Sequence, residues 1–394
     1  MTQLLRPALA AARPVPSLDE APLHLRPTEV EVDLGALAHN LKEAKRLVGP
    51  AVQVLAVVKA DAYGHGAVPA ARAFVGAGAA WLGVAIVEEG AELRRAGLVA
   101  PICVLSGLAG DEAAALVEHR LTPMVYRPDQ LAAVARAVRA AGLVHYGVHL
   151  KVDTGMGRYG ALPEEVGAFL DALRAHPALE LEGLATHFAL ADQGDDRSMA
   201  EQRAKFDAVA QSLSARGLHP KLRHLANSAS LLDHPETHAD LVRPGLMLYG
   251  IAPAARLKRL ADLKPALTFR THITHLKEVP AGFPVSYGAT YVTTRPSRLA
   301  TLPVGYADGL PRAVSNRAEM LVRERRAPLV GRVCMDACLL DVTHVAGASI
   351  GDEVVLIGRQ GAVAIGADEL ATHADTVSYE ILCGIGKRVP RVYR

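Results

Sequence analysis

The sequence predicts a closed parallel (β/α)8 barrel followed by a mainly antiparallel β domain. Three observations carry that expectation. From Thr28 onward, short β-branched runs alternate with Ala/Leu/Arg/Glu stretches of helical period. Eight such runs precede Lys264, near residues 53–58, 82–86, 102–105, 122–125, 146–151, 181–186, 222–226 and 246–249. Near Lys264 the texture then changes to apolar/polar alternation interrupted by Gly and Pro, as in 267–273, 331–336 and 353–357. Ahead of the first run lie a short extended segment, 29–33, and a helix-like one, 34–48. Helical patterns at 88–96, 128–140, 163–175 and 198–215 fill gaps between the strands, and one helix-like piece, 366–373, interrupts the β domain. The expected division is a flexible leader over 1–27, a barrel over 28–263 and a β domain over 264–394.

Composition narrows the function classes. Half of the 394 residues are hydrophobic and 21% are charged, the profile of a soluble globular protein. A net charge of +2 and only 4% aromatics leave neither the electrostatic footprint nor the stacking platforms of nucleic-acid binding. Four scattered cysteines, Cys103, Cys334, Cys338 and Cys383, do not read as a disulfide framework and suit a reducing, cytoplasmic setting. Cys334 and Cys338 lie beside His344, but the flanking residues alternate like a strand and no second ligand pair exists, so no metal is expected. His234 and His238 are expected on a surface loop. The leader has no apolar stretch of signal-peptide length, and no segment approaches a membrane span.

The polar residues collect where a barrel does its chemistry, at the C-terminal ends of the strands. Lys59 and Tyr63 follow the first run. Lys151, Asp153 and Arg158 follow another, Thr186 and His187 close a third, and Asn227 and Ser228 follow RHLA. Arg243, Gly245 and Leu246 are expected just before the last strand. An amine at the end of a buried strand loses water, so its neutral form becomes able to condense with an aldehyde. Tyr63, Ser228 and the amides of Gly245 and Leu246 are a set of hydroxyl and N–H donors suited to a phosphate, without a Walker lysine. A phosphate anchor beside a strand-end lysine suggests pyridoxal phosphate held as a Schiff base.

VVKADAYGHG, LKVDTGMGR, THFA, HLANSAS, VRPGLMLYG, VSYGATY, PVGYADG, GRVCMDA and SYE occur in that order. Together they resemble the motifs of the alanine racemase family, from about Arg26 to the C-terminus. The resemblance implies an isomerase that uses pyridoxal 5'-phosphate to interconvert L- and D-alanine for cell-wall peptidoglycan. It implies two bases, Lys59 on one face of the cofactor and Tyr287, from the partner of a homodimer, on the other. A hydrogen-bond chain from Tyr287 through His187 to Arg243 would stabilise the phenolate, and Arg243, which only donates, would face the ring nitrogen. Arg158 would hold the cofactor's phenolic oxygen and the substrate carboxylate, with Lys151, which carries a carbamate in many relatives, as its partner. Met335 would bind substrate through its amide. Tyr306 and Tyr379 would gate the site, Tyr379 also touching phosphate, while Asp192, Arg332 and Asp336 would support its outer part. The rivals are a racemase acting on serine or other amino acids, a decarboxylase of the same architecture, which would carry glutamate in place of Arg243, and a non-catalytic binder built from the barrel alone.

Overall fold

The computed structural model describes residues 25–394; most of the expected leader therefore lies outside the described residues. The first strand, β1 (Glu29–Val32), does not join the barrel. It pairs antiparallel with Leu267–His272 and parallel with Arg391–Tyr393, so the N-terminal strand is part of the C-terminal sheet. Asp33 then caps the helix Leu34–Val48, its carboxylate accepting from the Ala36 amide at 2.8 Å.

Eight parallel strands follow: β2 (Gln53–Val57), β3 (Trp81–Val84), β4 (Ile102–Val104), β5 (Thr122–Val125), β6 (Tyr146–Lys151), β7 (Leu179–Ala185), β8 (Leu222–His224) and β9 (Leu241–Val242). Their order runs β8-β7-β6-β5-β4-β3-β2-β9. Backbone bonds from Asp240 to Arg223 at 3.0 Å and from Arg243 to Ala226 at 2.9 Å draw the two end strands together. Strands β3 and β4 are buried throughout, as expected of parallel strands covered by helices on one side and by the barrel interior on the other.

The expected eighth strand is corrected. It is the two-residue Leu241–Val242, and Leu246–Tyr249 is a turn of 3-10 helix. Pro244 has no amide to give a ladder. All four residues of Leu246–Tyr249 are buried, so their run shows no alternation that would tell helix from strand. Arg243 to Leu246 therefore follow the last strand instead of preceding it, which puts Arg243 and Gly245 on the functional rim.

Beyond the barrel the strands are mostly antiparallel. One sheet joins Glu319–Val322, Arg325–Pro328, Glu353–Gln360 and Leu267–His272 to β1 and Arg391–Tyr393. A second joins His275–Val279, Ser297–Leu302 and Cys338–Asp341. The helix expected at 366–373 is Ala367–Ala374. His238 is buried, with its Nε2 2.9 Å from the Leu231 carbonyl, so the pair His234/His238 is not simply a surface loop.

Candidate active site

Lys59 opens a turn with unusual backbone geometry. Ala60, Asp61, Ala62 and Tyr63 all have φ of 52° or 53°, one turn of left-handed helix built from residues that carry a Cβ. Each such residue costs roughly 1–2 kcal/mol relative to the right-handed form, so the surroundings must hold the turn. The Asp61 carboxylate accepts from the Ala67 amide at 2.7 Å, and the Glu89 carboxylate accepts from the Ala60 amide at 2.7 Å. The turn sends the Lys59 and Tyr63 side chains into one cavity of about 440 Å³. There the Lys59 amine is held below the ordinary lysine range, mainly by burial and then by the nearby Arg158 cation.

One end of the cavity is a donor cradle. Asn227 caps the helix Ser228–Asp233, its side chain accepting from the Ala229 and Ser230 amides. Ser228 Oγ accepts from the Gly245 amide at 2.8 Å. A Cβ on Gly245 would sit 2.5 Å from the Tyr63 hydroxyl, so glycine is what lets that hydroxyl reach the cradle. Tyr63 packs against Tyr249 at 4.8 Å and Tyr379 at 5.7 Å between ring centroids, and the Tyr249 hydroxyl donates to the Val57 carbonyl at 2.8 Å.

The floor is Arg243, 6% exposed. One guanidinium nitrogen donates to the His224 carbonyl at 2.5 Å and faces His224 Nδ1 at 3.0 Å. The other donates to the carbonyls of Thr186 at 2.6 Å and Leu225 at 3.1 Å and faces His187 Nδ1 at 3.3 Å. Burial brings this guanidinium down to about 10. Burial, reinforced by Arg243, drives both His187 and His224 well below the usual imidazole range, so both are neutral and can accept from the arginine. His149 Nδ1 meets His224 Nε2 at 3.1 Å.

In the same cavity Lys151 is held down to about 7 by burial, Arg243 and Arg158. Its amine lies 3.4 Å from the Leu105 carbonyl and 5.5 Å from the Tyr159 ring centre. The loop carrying Arg158 is organised by Asp153, whose carboxylate accepts from the amides of Gly155, Met156, Gly157 and Arg158. Four cations and one carboxylate, Asp192, are among the described residues lining the cavity.

The structure thus brings Lys59, Tyr63, Lys151, Arg158, His187, Asp192, Asn227, Ser228, Arg243, Gly245, Leu246 and Tyr379 to one cavity. It leaves Tyr287, Tyr306, Arg332, Met335 and Asp336 outside that lining. Tyr287 is 71% exposed, Met335 54% and Tyr306 43%. These outer residues are tied to one another: Ser286 Oγ donates to the Arg332 carbonyl at 2.7 Å, and the Tyr306 amide donates to the Cys334 carbonyl at 3.0 Å. Arg388 bridges Asp308 and Asp336. Sequence reasoning passed over His149, His224 and Tyr159. His149 carried a usable signal, since it stands two residues before Lys151 on one strand and so shares its face.

A buried amine held below the ordinary lysine range, an anion cradle made of donors and a buried arginine, on the C-terminal rim of a barrel with an added β domain, define a two-domain barrel enzyme of amine–carbonyl chemistry. The family model of the alanine racemase N-terminal domain matches residues 32–253, and that of the C-terminal domain matches 266–393. The chain belongs to the alanine racemase family, a family of isomerases. It is 47% identical over 369 residues to the alanine racemase of Halothermothrix orenii, spanning 94% of this chain and 97% of that one. It is 48% identical to that of Symbiobacterium thermophilum, with the same coverage. Among solved structures, alanine racemase from Bacillus anthracis with bound L-Ala-P superposes with a TM-score of 0.89 at 37% identity, covering 95% of this chain and 96% of that one. The enzyme from D-cycloserine-producing Streptomyces lavendulae gives 0.89 at 40%, covering 95% and 98%.

Proposed function

We propose that the chain interconverts L-alanine and D-alanine with pyridoxal 5'-phosphate as cofactor, and so supplies D-alanine for cell-wall peptidoglycan. The observation that carries this reading is the convergence of Lys59, the donor cradle and Arg243 on one cavity in a chain of this family. The residues fit the cofactor. Tyr63, Ser228, Tyr379 and the Gly245 and Leu246 amides suit its phosphate, and the space at Gly245 that a Cβ would fill belongs to the Tyr63 hydroxyl. When bound, pyridoxal phosphate supplies an electron-withdrawing ring that acidifies the α-C–H of an attached amino acid.

Lys59, with its amine biased toward the neutral form, takes or returns the α-proton on one face. Tyr287 of the partner subunit does so on the other, its phenolate stabilised by His187, which in turn accepts from Arg243. Arg243, which has only N–H donors, would leave a ring nitrogen held opposite it without a proton; that would restrain electron withdrawal and suppress loss of the carboxylate or exchange of the amino group. Arg158 orients the substrate carboxylate together with the Met335 amide of the partner subunit. Lys151, which sheds its ammonium proton near neutrality, can add carbon dioxide through the neutral amine with loss of a second proton from its nitrogen, and the resulting carbamate accepts from Arg158. Tyr379 and the partner subunit's Tyr306 gate the site, and Asp192, with Arg332 and Asp336 of the partner subunit, lines its approach. The exposed cluster of Tyr287, Tyr306 and Met335 supports a homodimer with shared sites. The four cysteines, all free, suit the cytoplasm, and among the described residues no helix is long and apolar enough to cross a membrane.

The test is incubation of L-alanine and, separately, L-serine with the holoenzyme, followed by chiral chromatography. D-alanine should form; D-serine at a comparable rate would point to a broader racemase, and neither product would refute the reading. Lys59→Ala should abolish turnover. Tyr287→Phe should slow abstraction from L-alanine far more than from D-alanine, followed by solvent deuterium incorporation.

A further inference from the structure

We propose that Glu89 is a positioning residue for Lys59, its carboxylate clamping the left-handed turn that carries the lysine. The inference rests on the reading of Lys59 as a base. Glu89 is the third residue of the helix Val87–Arg95, after β3. One carboxylate oxygen accepts from the Ala85 and Ile86 amides, at 2.7 and 3.4 Å, and so caps its own helix. Capping needs only that oxygen. The other reaches across to the neighbouring strand end and accepts from the Ala60 amide at 2.7 Å.

That amide belongs to the peptide joining Lys59 to Ala60. Holding its plane sets the direction in which the Lys59 side chain leaves the backbone, at the start of the run of four residues with φ of 52° or 53°. A strained turn persists only where its surroundings over-determine it. Here one acidic residue ties the turn to a rigid helix start on the adjacent strand. Glu89 also adds charge. Arg158 disfavours protonation of Lys59, while Glu89 and Cys383 favour it, and the amine of Lys151 titrates nearby.

The proposal is tested by hydrogen exchange and pH profiles on the holoenzyme. In Glu89→Ala the peptide covering residues 57–66 should exchange at least tenfold faster than in wild type while the rest of the barrel is unchanged. The acid limb of the kcat profile for D-alanine, the isomer from which Lys59 takes the proton, should move to lower pH, because removal of a negative charge leaves the Lys59 ammonium less favoured. Glu89→Gln, which keeps one acceptor oxygen and loses the charge, should show the same movement of the limb with exchange closer to wild type. Unchanged exchange in Glu89→Ala, or an acid limb that stays in place in both variants, would overturn the proposal. A wild-type enzyme that turns over neither alanine isomer would instead refute the racemase reading and leave the exchange result to judge the clamp alone.

Discussion

Lys151 shows how a single side chain can make stability depend on pH. An unfolded lysine titrates near 10.4, whereas burial beside Arg243 and Arg158 brings Lys151 to about 7 in the folded chain. Between those values the unfolded state binds the proton that the folded state has released, so stability rises with pH across that window. In carbon-dioxide-free buffer the denaturation midpoint should therefore climb between about pH 7 and pH 10, and Lys151→Met should flatten that climb. Gly245 makes the complementary case for shape. A methyl group there meets the Tyr63 hydroxyl at 2.5 Å, so Gly245→Ala should displace Tyr63 from the cradle and weaken pyridoxal phosphate binding by about tenfold or more, read as the dissociation constant in a spectroscopic titration. At this scale much was legible. That Lys59, Arg158, Arg243 and Ser228 gather at one rim cavity could be read because their types and strand-end positions are unusual for packing. His224 could not, since an inward histidine has the same sequence signature as one satisfied within the core.

The element that matters most is the left-handed turn at Ala60–Tyr63. Glycine takes positive φ without steric cost, though it loses more entropy on folding. Ala60 is exposed and its Cβ makes the conformation costly. Ala60→Gly should therefore raise stability by about 1 kcal/mol, and Ala60→Val should lower it by at least that much, measured by urea denaturation. The sequence ADAYGHG contains turn residues but no glycine at the four strained positions, so handedness was not readable from it; it is imposed by Asp61, Glu89 and the strand beneath. The last barrel strand was misplaced for a related reason. A buried apolar run shows no period, and only the Pro244–Gly245 break and the pairing of Leu241–Val242 with β2 separate strand from 3-10 turn.

For the whole molecule the notable fact is separation. Twelve of the expected site residues share one cavity, while Tyr287, Tyr306, Arg332, Met335 and Asp336 stand elsewhere on the same chain. If two subunits complete each other's sites, co-refolding Lys59→Ala with Tyr287→Phe should restore activity that neither possesses in full. Random pairing makes half of the dimers mixed, and each mixed dimer holds one intact site, so recovery should approach about a quarter of the wild-type value. No recovery above the two parents would place both bases in one subunit.

The sequence by itself determined the barrel-plus-β-domain class, the family and the residue types at the rim, because periodicity, turn residues and ordered motifs are local properties of the chain. Tertiary structure alone decided that the N-terminal strand belongs to the C-terminal sheet and that Leu241–Val242 closes the strand order. It likewise decided that Arg243 is held between His187 and His224, and that a carboxylate from the next helix holds the turn behind Lys59. Those features depend on pairing, burial and charge between residues far apart in the chain, where the competing local choices differ too little in energy for the sequence pattern to reveal which one prevails.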